Sequence, residues 1–594
     1  MATKDYSLLS REELVSLLLK YDEKKKYGIV WDEERVPEKV VTDCQTHLPV
    51  LTEVKDKEII TSPSELTHLL IEGDNFHTLS VLNYTHQGKI DLIYIDPPYN
   101  TGNKDFIYND KYVDALDTYS HSKWLNFMDK RLNLASNLLS EDGFMVVSID
   151  DNEIAHLKIL LDKYFNHNTK IIAVKMSEAS GLKMGAVKRT GGIPKYKEYV
   201  VYAKPNGINN LYFDPIKKED WDNEYNLFLE NFTEHDKSII EEISSKENLT
   251  IEELITLDTE TLNKVQIRGV NSKITELGIT DKKEVLKWKY ENSWRICRST
   301  ASSSVKRLAD EKRNSINQNV FSVLSKRDKL VYLVKGDYEM ANEKPRVQLI
   351  FASDNLAVHP GDFWTDIKTT GLDAEGGIKF KNGKKPLELI RRIIKSQKNK
   401  NAIVLDFFAG SGTTAEAVLN LNAEDKGNRQ FILCTYNEEN STGIKIADEF
   451  CYPRIKNTIS SLSPKFPNVG SLKYFKTSFV ENSFNRDQVR IDVTRRCTEM
   501  LCVKEGIYNL KKETTDWKIF EQNGKYLGVY YDFAVLTLEE MKVEMNKLKG
   551  EKILYCFTIE REINTRNFTG WKNTRFEAIP QKILDVYKSI FNKD

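Results

Sequence analysis

The sequence predicts an α/β fold built on a largely parallel sheet, and three stretches carry that prediction. Asp91-Leu92-Ile93-Tyr94-Ile95-Asp96-Pro97-Pro98-Tyr99-Asn100 reads as an apolar strand that stops at a rigid loop. Val404-Leu405-Asp406 runs into Phe407-Phe408-Ala409-Gly410-Ser411-Gly412-Thr413-Thr414, a second strand meeting a glycine turn and then a helix. Asp142-Gly143 opens a third apolar run ending at Ile149-Asp150. Leu92, Ile93 and Ile95 suit a strand covered by helices on both faces.

The remaining elements follow in chain order. Ser10-Arg11-Glu12-Glu13 forms a capping box leading into Leu14, Leu17, Leu18 and Leu19, so residues 1–60 are expected to begin helical. Residues 61–204 are expected to hold one half of the sheet. There Glu72-Gly73-Asp74-Asn75 precedes the first strand, and the run from Trp124 to Leu132 opens a helix after it. The runs Ile171–Lys175 and Glu198–Ala203 read as a returning hairpin. Between them Gly181–Lys197 carries Lys183, Lys188, Arg189, Lys195 and Lys197, a basic loop as suited to phosphate as to solvent.

Residues 205–360 begin acidic and helical, around Glu241, Glu242, Glu252 and Glu253. They turn basic from Leu286 to Leu330, where eleven Lys/Arg against four Asp/Glu leave a net +7. Trp288, Tyr290 and Trp294 alternate there with Arg295, Arg298, Lys306 and Arg307. Cations of this kind contact phosphates, and arginine reads base edges, so the segment is a candidate nucleic-acid surface; a charge run is otherwise simply a solvated face. Residues 361–460 should complete the sheet, starting near Phe363-Trp364, and 465–594 should form a small α+β domain. Its strands are expected at Tyr526–Tyr531 and Ile553–Phe557, with a helix at Leu538–Leu548.

Composition excludes several classes. The 594 residues suffice for about three or four domains. A net charge of −1 argues against a uniformly basic coat while leaving local patches open. No apolar run reaches the roughly 18 residues that span a bilayer, and the first residues lack a signal-peptide core. Seven cysteines without CxxC or His-Cys spacing predict reduced, structural thiols in a cytosol and no metal site.

The two junctions carry the chemistry. Successive prolines fix φ and remove backbone donors, so Asp96 and Tyr99 sit on a stiff turn outside the carboxyl end of a strand, where ligands of open α/β sheets bind. Asp96 and a neighbouring carbonyl can accept hydrogen bonds from an exocyclic amine while Tyr99 stacks on a base. Taken alone, Asp-Pro-Pro-Tyr serves equally well as a turn that closes a strand. The Gly410-Ser411-Gly412 turn lets backbone N–H groups approach a ligand closely, at the positive end of the helix that follows. Ala415 takes the third position of a dinucleotide fingerprint, which keeps an NAD(P)-linked oxidoreductase open, though that reading leaves Asp-Pro-Pro-Tyr unexplained. No Gly-x-x-x-x-Gly-Lys-Ser/Thr occurs.

These motifs, with the Asp-Pro-Pro-Tyr loop about 300 residues ahead of the glycine loop, resemble the circularly permuted β class of DNA methyltransferases. Gly383-Lys384-Lys385-Pro386-Leu387-Glu388-Leu389-Ile390, Leu421–Asp425, Arg429–Leu433 and Tyr27–Trp31 make the chain similar to the Mod subunit of type III restriction–modification systems. The resemblance implies a Rossmann-like, S-adenosyl-L-methionine (AdoMet)-dependent fold with an inserted target-recognition domain at 205–360. It implies methyl transfer to N6 of adenine in flipped-out double-stranded DNA, with Asp96, Pro97, Pro98 and Tyr99 catalytic. Asp74, Lys385, Pro386, Asp406, Phe408, Gly410, Ser411, Gly412 and Thr413 would hold the cofactor, with Glu438 a departure from the family pattern at the ribose position. Lys385 is otherwise a solvated surface lysine. The DNA contacts would be Lys183, Lys188, Arg189, Arg295, Arg298, Lys306 and Arg307. A homodimer, a separate restriction (Res) nuclease/translocase partner and a cytoplasmic location follow from the same resemblance. The alternatives are a non-catalytic DNA-binding specificity subunit and an N4-cytosine methyltransferase.

Overall fold

The computed structural model describes residues 10–11, 14–16, 38–61, 66–102, 105–108, 111–114, 116–177, 185, 187–189, 191–208, 210–218, 220–246, 249–325, 330–369, 372–378, 384–437, 445–531, 537–558, 560–564, 566 and 568–591. Most of the expected N-terminal helix, Tyr27–Trp31, Lys183 and Glu438 lie outside them. The chain divides into two compact units, residues 1–213 with 361–594, and residues 214–360.

The first unit is organised by a ten-stranded sheet. Its strands are β1 (His47–Glu53), β2 (Thr67–Glu72), β3 (Ile90–Ile95), β4 (Leu139–Ile149), β5 (Thr169–Lys175), β6 (Lys197–Ala203), β7 (Phe363–Trp364), β8 (Ile403–Asp406), β9 (Gln430–Thr435) and β10 (Ser471–Glu481). Their order is β1-β10-β2-β9-β8-β3-β4-β6-β5-β7. From β10 to β4 every neighbouring pair is parallel, while β1 and β6 run antiparallel to their neighbours. Parallel strands need crossover helices, and the chain supplies them on both faces. Helices α1 (Asn75–Thr85), α2 (Ser120–Ser136) and α3 (Ile154–Tyr164) cover one face; α4 (Leu387–Lys395), α5 (Thr413–Asp425) and α6 (Tyr452–Leu462) cover the other.

Side-chain alternation divides each central strand between the two layers. Ile93, Ile95 and Leu405 pack with α1 and α2, while Leu92, Tyr94 and Val404 pack with α4 and α5. The near-continuous apolar runs of the sequence are therefore two half-sets, one per layer. β5 and β6 form the expected hairpin, with Ile171 opposite Val201.

The C-terminal expectation needs correction. Residues 471–481 are β10 of the large sheet, so the segment from 465 onward is no separate domain. A five-stranded sheet does follow, in the order Asn509–Glu513, Trp517–Gln522, Lys525–Tyr530, Glu551–Thr558, Thr574–Pro580. Leu527, Val529, Ile553, Tyr555 and Ile579 join the same core as α1, which fuses the two sheets. The opposite face is closed by the helix Leu538–Lys547 through Met541 and Met545.

The second unit is a six-stranded antiparallel sheet with flanking helices. Its order is Gln266–Gly269, Leu227–Glu230, Ile296–Ala301, Arg346–Phe351, Leu330–Lys335, Val320–Ser325. Among the described residues no helix is long and apolar enough to cross a membrane. All seven cysteines are buried and unpaired.

Candidate active site

Strand pairing sets the site. β3 and β8 are hydrogen-bonded neighbours, with Leu92 opposite Val404 and Ile93 opposite Leu405. The Asp96 loop and the glycine loop therefore leave the sheet side by side at its carboxyl edge. The loop after β2 joins them there, since Asn75 Nδ2 donates to the Phe407 carbonyl at 3.2 Å.

In the Asp96 loop the two prolines are not equivalent. The Pro98 carbonyl accepts the indole N–H of buried Trp124 at 2.7 Å, whereas the Pro97 carbonyl accepts nothing among the described residues. Asp96 Oδ1 is buried without a hydrogen bond of good geometry; its nearest cation is Lys385 Nζ at 3.3 Å. Lys385 also donates to Glu198 Oε2 at 2.7 Å and to the Tyr99 hydroxyl, and its amine lies 4.7 Å from the Tyr99 ring centre. The Tyr99 hydroxyl donates to Glu198 Oε2 at 3.1 Å. Burial raises the Asp96 carboxyl above its ordinary range, and Lys385 opposes the shift without cancelling it. Burial pulls Lys385 down, but Asp96 and Glu198 outweigh it and hold the ammonium above its usual value.

One expectation changes here. Lys385 is only 12 % exposed, so it is not a solvated surface lysine. Its amine meets Asp96, Tyr99 and Glu198, on the Asp-Pro-Pro-Tyr side of the site. Pro386 is buried at the start of α4. The sequence marks Glu198 only as part of a hairpin strand, because no local motif ties it to Tyr99 about 100 residues away.

The glycine loop is braced from within. Asp406 Oδ1 accepts the Phe408 N–H at 3.0 Å and Oδ2 accepts the Thr414 hydroxyl at 2.5 Å. Burial lifts its carboxyl to about 7, with a smaller upward push from Asp96. Gly410 (φ +48) and Gly412 (φ +80) are left-handed, and a Cβ on Gly412 would come 3.2 Å from Cys451 Sγ. Fully buried Arg454 donates to Ser411 Oγ at 3.2 Å and Thr413 Oγ1 at 2.6 Å, and pairs with Glu416 at 2.6 Å. Those two hydroxyls thus belong to the loop's own scaffold. Among the described residues the backbone N–H groups of Gly410, Ser411 and Thr413 donate to no carbonyl, and they lie at the N-terminal end of α5. Asp74 caps α1 by accepting the Phe76 N–H at 2.7 Å, lies 3.5 Å from buried Arg131, and keeps 23 % of its side chain exposed. Phe408 is half-buried against Phe407 and Phe127.

With this geometry in place, the comparisons decide the family. Residues 90–455 match the family model described as DNA methylase, which takes in both junctions and the segment between them. The chain belongs to the DNA methylase family. It is 32 % identical over 394 residues to the probable type III restriction-modification enzyme HindVI Mod subunit of Haemophilus influenzae, covering 62 % of this chain and 48 % of that one. Against the EcoPI Mod subunit of Escherichia phage P1 the figures are 32 % over 407 residues, 63 % and 58 %. Against the type II methyltransferase M.KpnI of Klebsiella pneumoniae they are 27 % over 440 residues, 72 % and 94 %. The chain thus spans about half to three fifths of the length of these two type III relatives.

The cations expected to meet DNA are unequally free in this chain. Arg295 donates to Asn292 Oδ1 at 2.9 Å and lies 4.8 Å from the ring centres of Phe228 and Trp294, so it is committed to packing. Arg298 pairs with Glu224 at 2.9 Å, and Lys306 with Asp310 at 2.5 Å. Arg307 is exposed and carries no ion pair among the described residues. The interleaved aromatics also turn inward, Trp288 on Phe228 and Trp294 against Phe232. In the first unit Lys188 and Arg189 are exposed, whereas Lys195 and Lys197 pair with Asp150 and Asp151.

Proposed function

We propose that this methylase transfers a methyl group from AdoMet to N6 of adenine in double-stranded DNA, as the modification subunit of a type III restriction–modification system. The observation that carries the reading is the pairing of β3 with β8, which puts an unsatisfied carboxylate beside a turn of unengaged N–H groups. The donor set suits the cofactor. The N–H groups of Gly410, Ser411 and Thr413 at the positive end of α5 favour its carboxylate, and partly exposed Asp74 can accept from its adenine or ribose. AdoMet, when bound, supplies a methyl group already activated on sulfur.

The Asp96 carboxylate and the Pro97 carbonyl accept hydrogen bonds from the two N–H groups of the exocyclic amine, which otherwise shares its lone pair with the ring; once methylated, N6 gives up one proton to the Asp96 carboxylate or to solvent. Two fixed acceptors favour the pyramidal, nucleophilic nitrogen and need no reorganisation as charge develops on it. Tyr99, its hydroxyl tied to Glu198 and Lys385, offers a ring of fixed orientation for the flipped base. Lys385 favours the ionised Asp96 that this role requires. Asp406 and Arg454 hold the glycine loop in shape and do not touch the reacting atoms. Asp at the head of the Pro-Pro-Tyr turn favours adenine over cytosine as a resemblance within the family.

Exposed Lys188, Arg189 and Arg307 remain the best candidates for phosphate contacts, with residues 214–360 as the target-recognition unit. A homodimer, a Res nuclease/translocase partner and a cytoplasmic setting follow from likeness to the Mod subunits. Single-molecule sequencing of DNA from cells expressing the wild type and Asp96→Ala tests the proposal. It expects N6-methyladenine at one motif, lost in the variant. Methylation retained by the variant, or methyl groups only on cytosine, would overturn it.

A further inference from the structure

Behind the Asp96 loop lies a second cluster that methyl transfer does not use. Glu153, with a fully buried side chain, stands just before α3; His156 lies on the first turn of α3, and His121 on the first turn of α2. His121 Nδ1 lies 2.7 Å from Glu153 Oε1, and His156 Nδ1 lies 2.8 Å from Glu153 Oε2. The two imidazoles stack with ring centres 4.5 Å apart. One ligand atom from each of the three residues falls within 4.8 Å of the others. Asn100, the residue after Tyr99, donates its amide to Glu153 Oε1 at 2.6 Å.

The second His–Glu pair is the telling one. Although 2.8 Å apart, His156 Nδ1 and Glu153 Oε2 are both buried, and neither makes a hydrogen bond of acceptable geometry. A buried carboxylate oxygen and an imidazole nitrogen converge with nothing between them, which is costly unless a cation is shared. Two imidazole nitrogens and one carboxylate form the donor set of an open zinc site, and His121, 53 % exposed, leaves solvent a route to a fourth position. The Asn100 amide on Glu153 is the type of outer contact that orients a ligating carboxylate.

We propose that His121, Glu153 and His156 bind one divalent transition-metal ion, Zn2+ by donor preference. The ion would clamp the starts of α2 and α3 and, through Glu153 and Asn100, steady the Asp-Pro-Pro-Tyr loop. It would take no part in methyl transfer. Binding requires neutral imidazoles, so any proton on the cluster is released as the ion enters.

The test is calorimetric titration of the metal-free full-length chain with Zn2+, with X-ray absorption on the loaded protein. One ion per chain is expected, with imidazole nitrogens at about 2.0–2.1 Å. His121→Ala and His156→Ala, both at partly exposed positions, should abolish saturable binding, while Asn100→Ala should weaken it about 10- to 100-fold. No saturable binding by the folded wild type would overturn the proposal. Binding unchanged in both histidine variants would overturn it equally, since the ion would then lie elsewhere.

Discussion

Asp96 and Asp406 close or follow neighbouring strands of one sheet, yet their surroundings differ in kind. Asp406 is 3 % exposed, and each of its oxygens accepts a hydrogen bond from its own loop. Asp96 keeps 23 % of its side chain exposed, one oxygen without a hydrogen bond, and a lysine close enough to favour its charge. A saturated carboxylate braces a loop; an unsaturated one is available to a ligand. Position at a strand end does not separate the two roles, but the count of satisfied lone pairs does.

The sharpest way to break this comparison is Asp96→Ala. It should cut methylation by at least about 10²–10³-fold, the scale of losing a principal transition-state hydrogen bond, while DNA binding stays within a few-fold. Equal turnover by the variant would end the argument for Asp96. Tyr99→Ala comes next, with a loss of about 1–3 kcal/mol in kcat/KM if the ring stacks on the base. Kinetics matching the wild type would remove that role.

Lys385→Met sharpens the electrostatic half of the comparison. Burial already raises Asp96, so activity should fall as pH drops below a value above the ordinary carboxylate range. Without the ammonium that acidic limb should move to higher pH; a pH profile that does not move would show that Lys385 is merely packed there.

The smallest effect on turnover is expected for Asp406→Asn, because an amide can keep the Phe408 contact. Its signature lies in stability. A carboxyl lifted from 3.8 to about 7 favours the folded state fully below pH 4, and that contribution is lost as pH rises towards 7. The variant should show a flatter Tm between pH 4 and 7, and an unchanged pH dependence would place the carboxylate in solvent.

Much of the fold was legible because local signals agreed with it. Ile90–Ile95, Ile403–Asp406 and the helix from Thr413 were visible as apolar runs punctuated by Pro-Pro and Gly-Ser-Gly, which act through sterics at their own positions. The hairpin of residues 169–203 and the C-terminal strands were visible for the same reason. What escaped were partnerships across the chain. Glu198 stands 187 residues from Lys385, and neither residue carries a spacing that announces the other. His121 and Glu153 are 32 residues apart on separate elements, invisible to a search for closely spaced ligands. Arg295 and Trp294 pack against Asn292, Phe228 and Phe232, partnerships that charge and aromaticity alone do not announce.

By itself the sequence determined where strands stop, which residues occupy those stops, and the family to which the motifs point, because backbone stiffness and hydrophobic period are local properties. Only the tertiary structure decided which carboxylate is left unsatisfied, which lysine answers it, and that residues 471–481 complete the central sheet. Those outcomes depend on register between strands distant in sequence, and on how much water burial removes from each charge.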